Sequence, residues 1–160
     1  MITKREVPND VLLPIIIDEL SAVAGKTAVI GLRGRSMRPY LEDGRDSAEL
    51  IAADRLKLLD VVLAEIRPGT YVLHRIVRIE GDHITLLGDG NLTTESCRAR
   101  DVKARATAFY RKGSRVREST DSRSFRLYSR VWHILRPFRR LLLFILFPHW
   151  PDRIKRLFRR

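Results

Sequence analysis

Apolar and polar residues alternate over much of residues 27–110, a pattern that predicts short β-strands separated by turns. Such runs cover residues 27–32, 71–79, 83–87 and 102–110, and a further apolar run with Asp60 inside it covers residues 56–66. Gly81 and Asp82 separate two of these runs and predict a hairpin turn. The body of the chain is therefore predicted to be mostly β.

Helical patterns are found only at the two ends. Asn9 or Asp10 is a suitable cap for a short helix that ends near Gly25. Aromatic residues and arginines recur at roughly helical spacing over residues 125–138, and seven apolar residues follow at 141–147. Seven residues are too few to cross a bilayer, which needs about twenty. The C-terminal part is therefore predicted to be helical and amphipathic.

Charge divides the chain at about residue 110. Residues 1–110 hold 16 Lys or Arg and 16 Asp or Glu, so the whole formal charge of +12 lies in residues 111–160. Residues 113–124 are polar and serine-rich, which is typical of a linker. We therefore predict a catalytic domain over residues 1–112, a linker over 113–124 and a basic amphipathic extension over 125–160.

The extension favours an anionic membrane surface as its partner, because its apolar run lies between Arg139-Arg140 and Trp150. Nucleic acid is the second alternative, since phosphate attraction requires little more than positive charge, but the sequence contains no motif that reads bases. The apolar residues 11–17 are short and are interrupted by Pro14, so they predict neither a signal peptide nor a membrane span. We predict a cytoplasmic protein, peripheral on the inner membrane face.

Cys97 is the only cysteine, which excludes an intrachain disulfide and a cysteine-type metal site. The four histidines are scattered without ligand spacing: His74, His83, His133 and His149. The sequence therefore predicts no metal and no cofactor.

Three short segments carry the residue types of a nucleophile, a base and a group that orients the base. Ser36 lies in Gly34-Arg35-Ser36-Met37-Arg38-Pro39, His74 lies in an apolar run, and Asp89 lies in Gly88-Asp89-Gly90-Asn91. A serine hydroxyl is a weak nucleophile at neutral pH and needs a base within hydrogen-bond reach. The base in turn needs a partner that fixes its tautomer and stabilises its charged form.

These segments, in this order and spacing, resemble the signal peptidase I superfamily of serine peptidases, which also includes the self-cleaving SOS repressors. The resemblance covers residues 29–111. Gly-x-Ser-Met-x-Pro corresponds to the nucleophile signature, and His74-Arg75-Ile76-Val77 resembles the endoplasmic-reticulum and archaeal branch, in which the base is histidine rather than lysine. Members usually carry an N-terminal anchor before the serine motif, and we expect none here.

The resemblance implies a signal peptidase-like β-rich catalytic fold with a short N-terminal helix and a C-terminal helical extension. It also implies an endopeptidase that cleaves a leader or signal-like peptide after small side chains, with Ser36, His74 and Asp89 as catalytic residues. Four neighbours of Ser36 are predicted to form the oxyanion hole or bind substrate: Gly34, Arg35, Met37 and Pro39.

Three alternatives remain open at this point. Glu95 is the nearest further carboxylate that could orient His74, although we prefer Asp89. Self-cleavage, as in the SOS repressors, is a weaker alternative because no lysine occupies the place of the base. The third alternative is a non-catalytic module that has the same fold and binds lipid or nucleic acid.

Overall fold

A computed structural model describes residues 9–112 and 116–147 of the chain, and an antiparallel β-sheet of eight strands forms the body, with helices before and after it in the chain. The elements in chain order are α1 (Asn9–Ala22), β1 (Ala28–Gly31), β2 (Ser47–Ala52), β3 (Val61–Arg67), β4 (Thr70–Glu80), β5 (His83–Leu87), β6 (Glu95–Arg98), β7 (Val102–Tyr110), β8 (Arg117–Ser119), α2 (Arg123–Ile134) and α3 (Arg139–Leu146). The predicted mostly-β body with a short N-terminal helix and C-terminal helices is confirmed.

The sheet has the strand order β1-β2-β7-β3-β4-β5-β6, and β8 pairs with β7. β3, β4, β5 and β6 follow one another as hairpin neighbours, whereas β7 returns to lie between β2 and β3. Val62 pairs with His74 across β3 and β4, and Arg75 pairs with Leu87 across β4 and β5. β4 therefore runs through the centre of the half of the sheet that carries His74.

Both faces of the central strands are buried. Successive side chains of a strand point to opposite faces, and in β3 Val61 and Leu63 join one hydrophobic cluster while Val62 and Ala64 join another. The first cluster also contains Leu20 of α1, together with Met37 and Tyr40 from the loop that follows β1. The serine loop is therefore fixed to the sheet by its own apolar side chains.

Several predicted elements are confirmed, among them the strands over 83–87 and 102–110 and the hairpin at Gly81. The strand predicted over 56–66 begins only at Val61. Leu59 has a φ of 75°, and the Asp60 carboxylate accepts a hydrogen bond from the Lys57 N–H, so this stretch forms a turn. β2 and β6 were not predicted, because both are short and contain polar residues.

The C-terminal helices pack directly against the sheet. Residues 117–119, inside the segment predicted to be a linker, form β8, whose Arg117 forms an ion pair with Glu49 of β2. Ser122 caps α2 by accepting a hydrogen bond from the Phe125 N–H, and Phe125 enters the first hydrophobic cluster. None of the helices in the described ranges is long and apolar enough to cross a membrane.

Candidate active site

Ser36 lies in the loop between β1 and β2, which is closed by hydrogen bonds at both ends. The Leu32 N–H donates to the Asp46 carbonyl, and the Gly34 N–H donates to the Asp43 carboxylate over 3.0 Å. Gly34 has a φ of +90°, a conformation that favours glycine because a Cβ would be strained there. The glycine two residues before the serine is therefore required by the turn itself.

His74 is buried in β4 beside the carboxylate of Glu95, the first residue of β6. Nδ1 of His74 lies 2.5 Å from Oε2 of Glu95, although the two atoms are not aligned as a regular hydrogen bond. Burial lowers the pKa of His74 below its usual value of 6.5, while the charges of Glu95 and, more weakly, Asp89 oppose that shift. The imidazole is therefore neutral at pH 7 and able to accept a proton.

The other ring nitrogen of His74 faces the backbone of the serine loop. A Cβ added to Gly88 would lie 3.0 Å from His74 Nε2 and 2.5 Å from the carbonyl oxygen of Ser36. The Gly90 N–H donates to that same carbonyl oxygen over 2.7 Å. The glycines on both sides of Asp89 thus allow the turn after β5 to bring His74 and Ser36 together. No hydrogen bond joins Ser36 Oγ to His74 among residues 9–112 and 116–147.

Asp89 is completely buried, and its carboxylate pairs with Arg75 rather than with His74. Nε and Nη2 of Arg75 donate to the two carboxylate oxygens over 2.9 and 2.8 Å, which is the two-point geometry of strong arginine–carboxylate pairs. The Tyr128 hydroxyl donates to the same carboxylate over 3.1 Å. The contacts therefore favour Glu95 over the sequence-based preference, Asp89, as the carboxylate that orients His74.

The inner face of the C-terminal helices completes this buried cluster. Trp132 of α2 donates its indole N–H to the Asp89 carbonyl over 3.0 Å, and Arg139 of α3 donates to the Gly88 carbonyl over 3.3 Å. Ser129 accepts a hydrogen bond of 2.7 Å from Arg75. Hydrogen bonds from α2 and α3 thus stabilise the Gly88–Gly90 turn next to Ser36.

The four predicted neighbours of Ser36 occupy different environments. Met37 is buried in the core, Arg35 is exposed and Pro39 is partly buried after a cis peptide bond. A cavity of about 40 Å³ adjoins Ser36 and Gly34, and its apolar wall consists of Leu32, Met37, Leu41 and Leu73. Within the described part of the chain, the Ser36 backbone N–H donates no hydrogen bond. Ser36 thus adjoins a small cavity of mixed lining, since Arg33 and Glu42 also border it.

Residues of α2 and α3 were not among the predicted site residues, although Tyr128, Ser129, Trp132 and Arg139 all contact the Arg75–Asp89 cluster or its turn. The available signal was Arg75 itself, a charged residue in the middle of an apolar strand, which requires a buried counter-charge. The regions that the structure describes contain no group of three or more His, Cys, Asp or Glu residues able to hold a metal ion.

No model of a known protein family matches this chain, and no curated protein sequence matches it significantly.

Proposed function

We propose that the protein is a serine endopeptidase, a hydrolase resembling signal peptidase I, in which Ser36 is the nucleophile, His74 the general base and Glu95 the group that orients the base. The observation that carries the proposal is the placement of His74. Its Nδ1 lies 2.5 Å from the Glu95 carboxylate, and its Nε2 faces the Gly88 position beside Ser36. The Ser36 carbonyl oxygen adjoins the same Gly88 position, and an imidazole that has a carboxylate on one nitrogen and a serine near the other is the arrangement that activates a hydroxyl.

The reaction proceeds by acyl transfer. Nε2 of His74 removes the proton from Ser36 Oγ as the oxygen attacks the carbonyl carbon of the scissile peptide. The protonated imidazole then gives this proton to the leaving amine, and the acyl group remains on Ser36. Water enters and His74 takes one of its protons as the water oxygen bonds to the acyl carbon; the bond from that carbon to Ser36 Oγ then breaks, and His74 returns the proton to Oγ. Each imidazolium state is stabilised by the Glu95 carboxylate.

The loose alignment of the catalytic groups is compatible with this role. Catalytic hydrogen bonds are often long or poorly aligned in unliganded enzymes and tighten when substrate binds. The neutral state of His74 at pH 7 supports the role of a base, because a protonated imidazole accepts no proton. Asp89 contributes indirectly, because its ion pair with Arg75 stabilises the Gly88–Gly90 turn, which adjoins both Ser36 and His74.

The surroundings of Ser36 support a peptide substrate with a small residue before the cut. The cavity of about 40 Å³ beside Ser36 is small, which favours a short side chain at that position. The Ser36 N–H donates no hydrogen bond to residues 9–112 or 116–147, and a donor on the nucleophile's own backbone stabilises the oxyanion of a tetrahedral intermediate. We infer that the substrate is a leader or signal-like peptide with alanine, glycine or serine before the scissile bond.

The proposal includes a cytoplasmic location on the inner membrane face. The buried free thiol of Cys97 is compatible with a reducing compartment. Burial also raises the pKa of this thiol to about 11, so it is poorly reactive.

A peptide-pool digestion tests the proposed activity. The purified protein is incubated with a mixture of proteome-derived peptides, and new termini are identified by mass spectrometry. We expect cuts after small residues that disappear in Ser36→Ala and persist in Ser96→Ala, a matched control because Ser96 is an exposed serine next to Glu95. Cuts that persist in Ser36→Ala, or no cuts at all with and without anionic vesicles, would favour a non-catalytic binding module.

A further inference from the structure

The outer side of the C-terminal helices carries a row of exposed apolar side chains, which we call the apolar face. It consists of Leu127, Val131 and Ile134 of α2, Phe138 of the turn between the helices, and Leu141 and Ile145 of α3. Each of these side chains is between 44 % and 73 % exposed. Their spacing of three or four residues places them on one side of each helix. A group of large apolar side chains exposed on one side of two helices usually marks a binding site.

The same segment is strongly cationic. Residues 123–147 contain six arginines, at positions 123, 126, 130, 136, 139 and 140, and no Asp or Glu. The remaining sequence, residues 148–160, adds five Lys or Arg and only Asp152. Arg139 is buried against the Gly88 turn, but the other five arginines of residues 123–147 are exposed, so the segment that carries the apolar face has positive charge complementary to an anionic surface.

We propose that the apolar face docks on the surface of a membrane that contains anionic lipid, with α2 and α3 lying along the interface. Leu, Ile and Phe side chains enter the boundary between head groups and acyl chains, while exposed arginines of the same helices contact lipid phosphates. A nucleic acid would use the arginines but would leave this central apolar row exposed to water. The combination of both features favours lipid.

The inner side of the same helices explains why they remain folded while their outer side is exposed. Phe125, Ser129 and Trp132 of α2 and Leu143 of α3 are buried against the sheet. The helices therefore present a preformed apolar face, and docking requires no unfolding of their contacts with the Gly88–Asp89 turn.

A vesicle co-sedimentation experiment with the full chain tests the proposal without depending on peptidase activity. The vesicles contain either phosphatidylcholine alone or phosphatidylcholine with roughly a third of phosphatidylglycerol. We expect binding only to the anionic vesicles, and a loss of at least about tenfold in affinity for Ile134→Ser/Ile145→Ser, which removes apolar contact and leaves every charge unchanged. The matched control is Ile15→Ser/Val29→Ser, which replaces exposed apolar side chains of α1 and β1 and should bind as the wild type does.

Circular dichroism and thermal unfolding establish that both double variants remain folded, as substitutions at exposed positions should allow. The proposal is overturned if the wild type does not prefer anionic vesicles, or if Ile134→Ser/Ile145→Ser binds them as tightly as the wild type. It is also overturned if the wild type is a dimer that this variant dissociates and neither binds vesicles. Binding of a duplex DNA that competes with vesicles and is unaffected by the variant would assign the basic segment to nucleic acid instead.

Discussion

Glu95 and Asp89 are predicted to have separable roles, one in orienting His74 and the other in stabilising the fold. The perturbation is a pair of isosteric substitutions, Glu95→Gln and Asp89→Asn, each of which removes one negative charge. Glu95 lies 2.5 Å from His74 Nδ1, whereas Asp89 forms a fully buried two-point pair with Arg75. The two substitutions should therefore change different measured quantities.

Glu95→Gln removes the negative charge that stabilises the protonated form of His74 during catalysis. Two unit charges about 4 Å apart interact by about 4 kcal/mol at an effective dielectric constant of about 20. The Glu95 side chain is one-third exposed, so screening reduces this to about 2–4 kcal/mol. Because about 1.36 kcal/mol corresponds to a factor of ten in rate, the acylation of Ser36 should slow by about 30- to 1,000-fold. Stability should change by less than about 1 kcal/mol.

For Asp89→Asn, the cost falls on folding, because Arg75 is left buried without its counter-charge. Breaking one partner of a buried pair destabilises by about 3–5 kcal/mol, which lowers Tm by roughly 6–20 °C in a chain of this size.

The assay combines two measurements on each variant: the rate of labelling of Ser36 by a fluorophosphonate, and thermal unfolding followed by circular dichroism. Labelling at a temperature well below each Tm separates the chemistry from the fold. The assignment is refuted if Glu95→Gln labels as fast as the wild type, or if Asp89→Asn slows labelling while its Tm is unchanged.

Three further predictions concern the same site. Burial lowers the pKa of His74, and its neutral form is the base, so the rate of Ser36 labelling should be constant at and above pH 7 and fall only below pH 6.5. A labelling rate that is half-maximal above pH 7 would contradict this. Gly88→Ala places a Cβ 2.5 Å from the carbonyl oxygen of Ser36, so it should lower the free energy of unfolding by about 1–3 kcal/mol in urea titration and slow the labelling of Ser36. The control is Gly31→Ala, whose Cβ meets no atom within 4 Å and which should change neither quantity. Trp132→Phe removes the hydrogen bond to the Asp89 carbonyl, so it should lower stability by about 1 kcal/mol in the same titration and slow labelling; unchanged labelling would show that α2 does not support the turn.

The strands with regular alternation could be predicted from the sequence, because one residue in two enters a hydrophobic cluster. β5 and β7 are examples, and both have the predicted bounds. β2 could not be predicted in this way, since it contains Glu49, whose charge is satisfied only by tertiary partners. Arg117 of β8 binds this carboxylate and lowers its pKa to about 2, with further hydrogen bonds from Thr107 and Tyr110. Neither β2 nor β8 has a local signal for that contact.

The sequence names the candidate residues of the site but does not determine how they pair. Ser36 and His74 come together as the order of the motifs implied, but the partner of His74 depends on which way each side chain of β4 points. His74 and Arg75 are neighbours on one strand and face opposite sides. Arg75 forms its ion pair with Asp89, and the carboxylate nearest to His74 Nδ1 is that of Glu95. Sequence spacing contains no information on this choice.

The central claim is that Ser36 is activated by His74, and mass spectrometry of the protein after treatment with a fluorophosphonate tests it most directly. We expect the wild-type protein to carry a single adduct, on Ser36. The adduct should be absent from Ser36→Ala and strongly reduced in His74→Ala, while both variants remain folded. Absence of an adduct, with anionic vesicles present as well as without them, or labelling of Ser36 that is unchanged in His74→Ala, would contradict it.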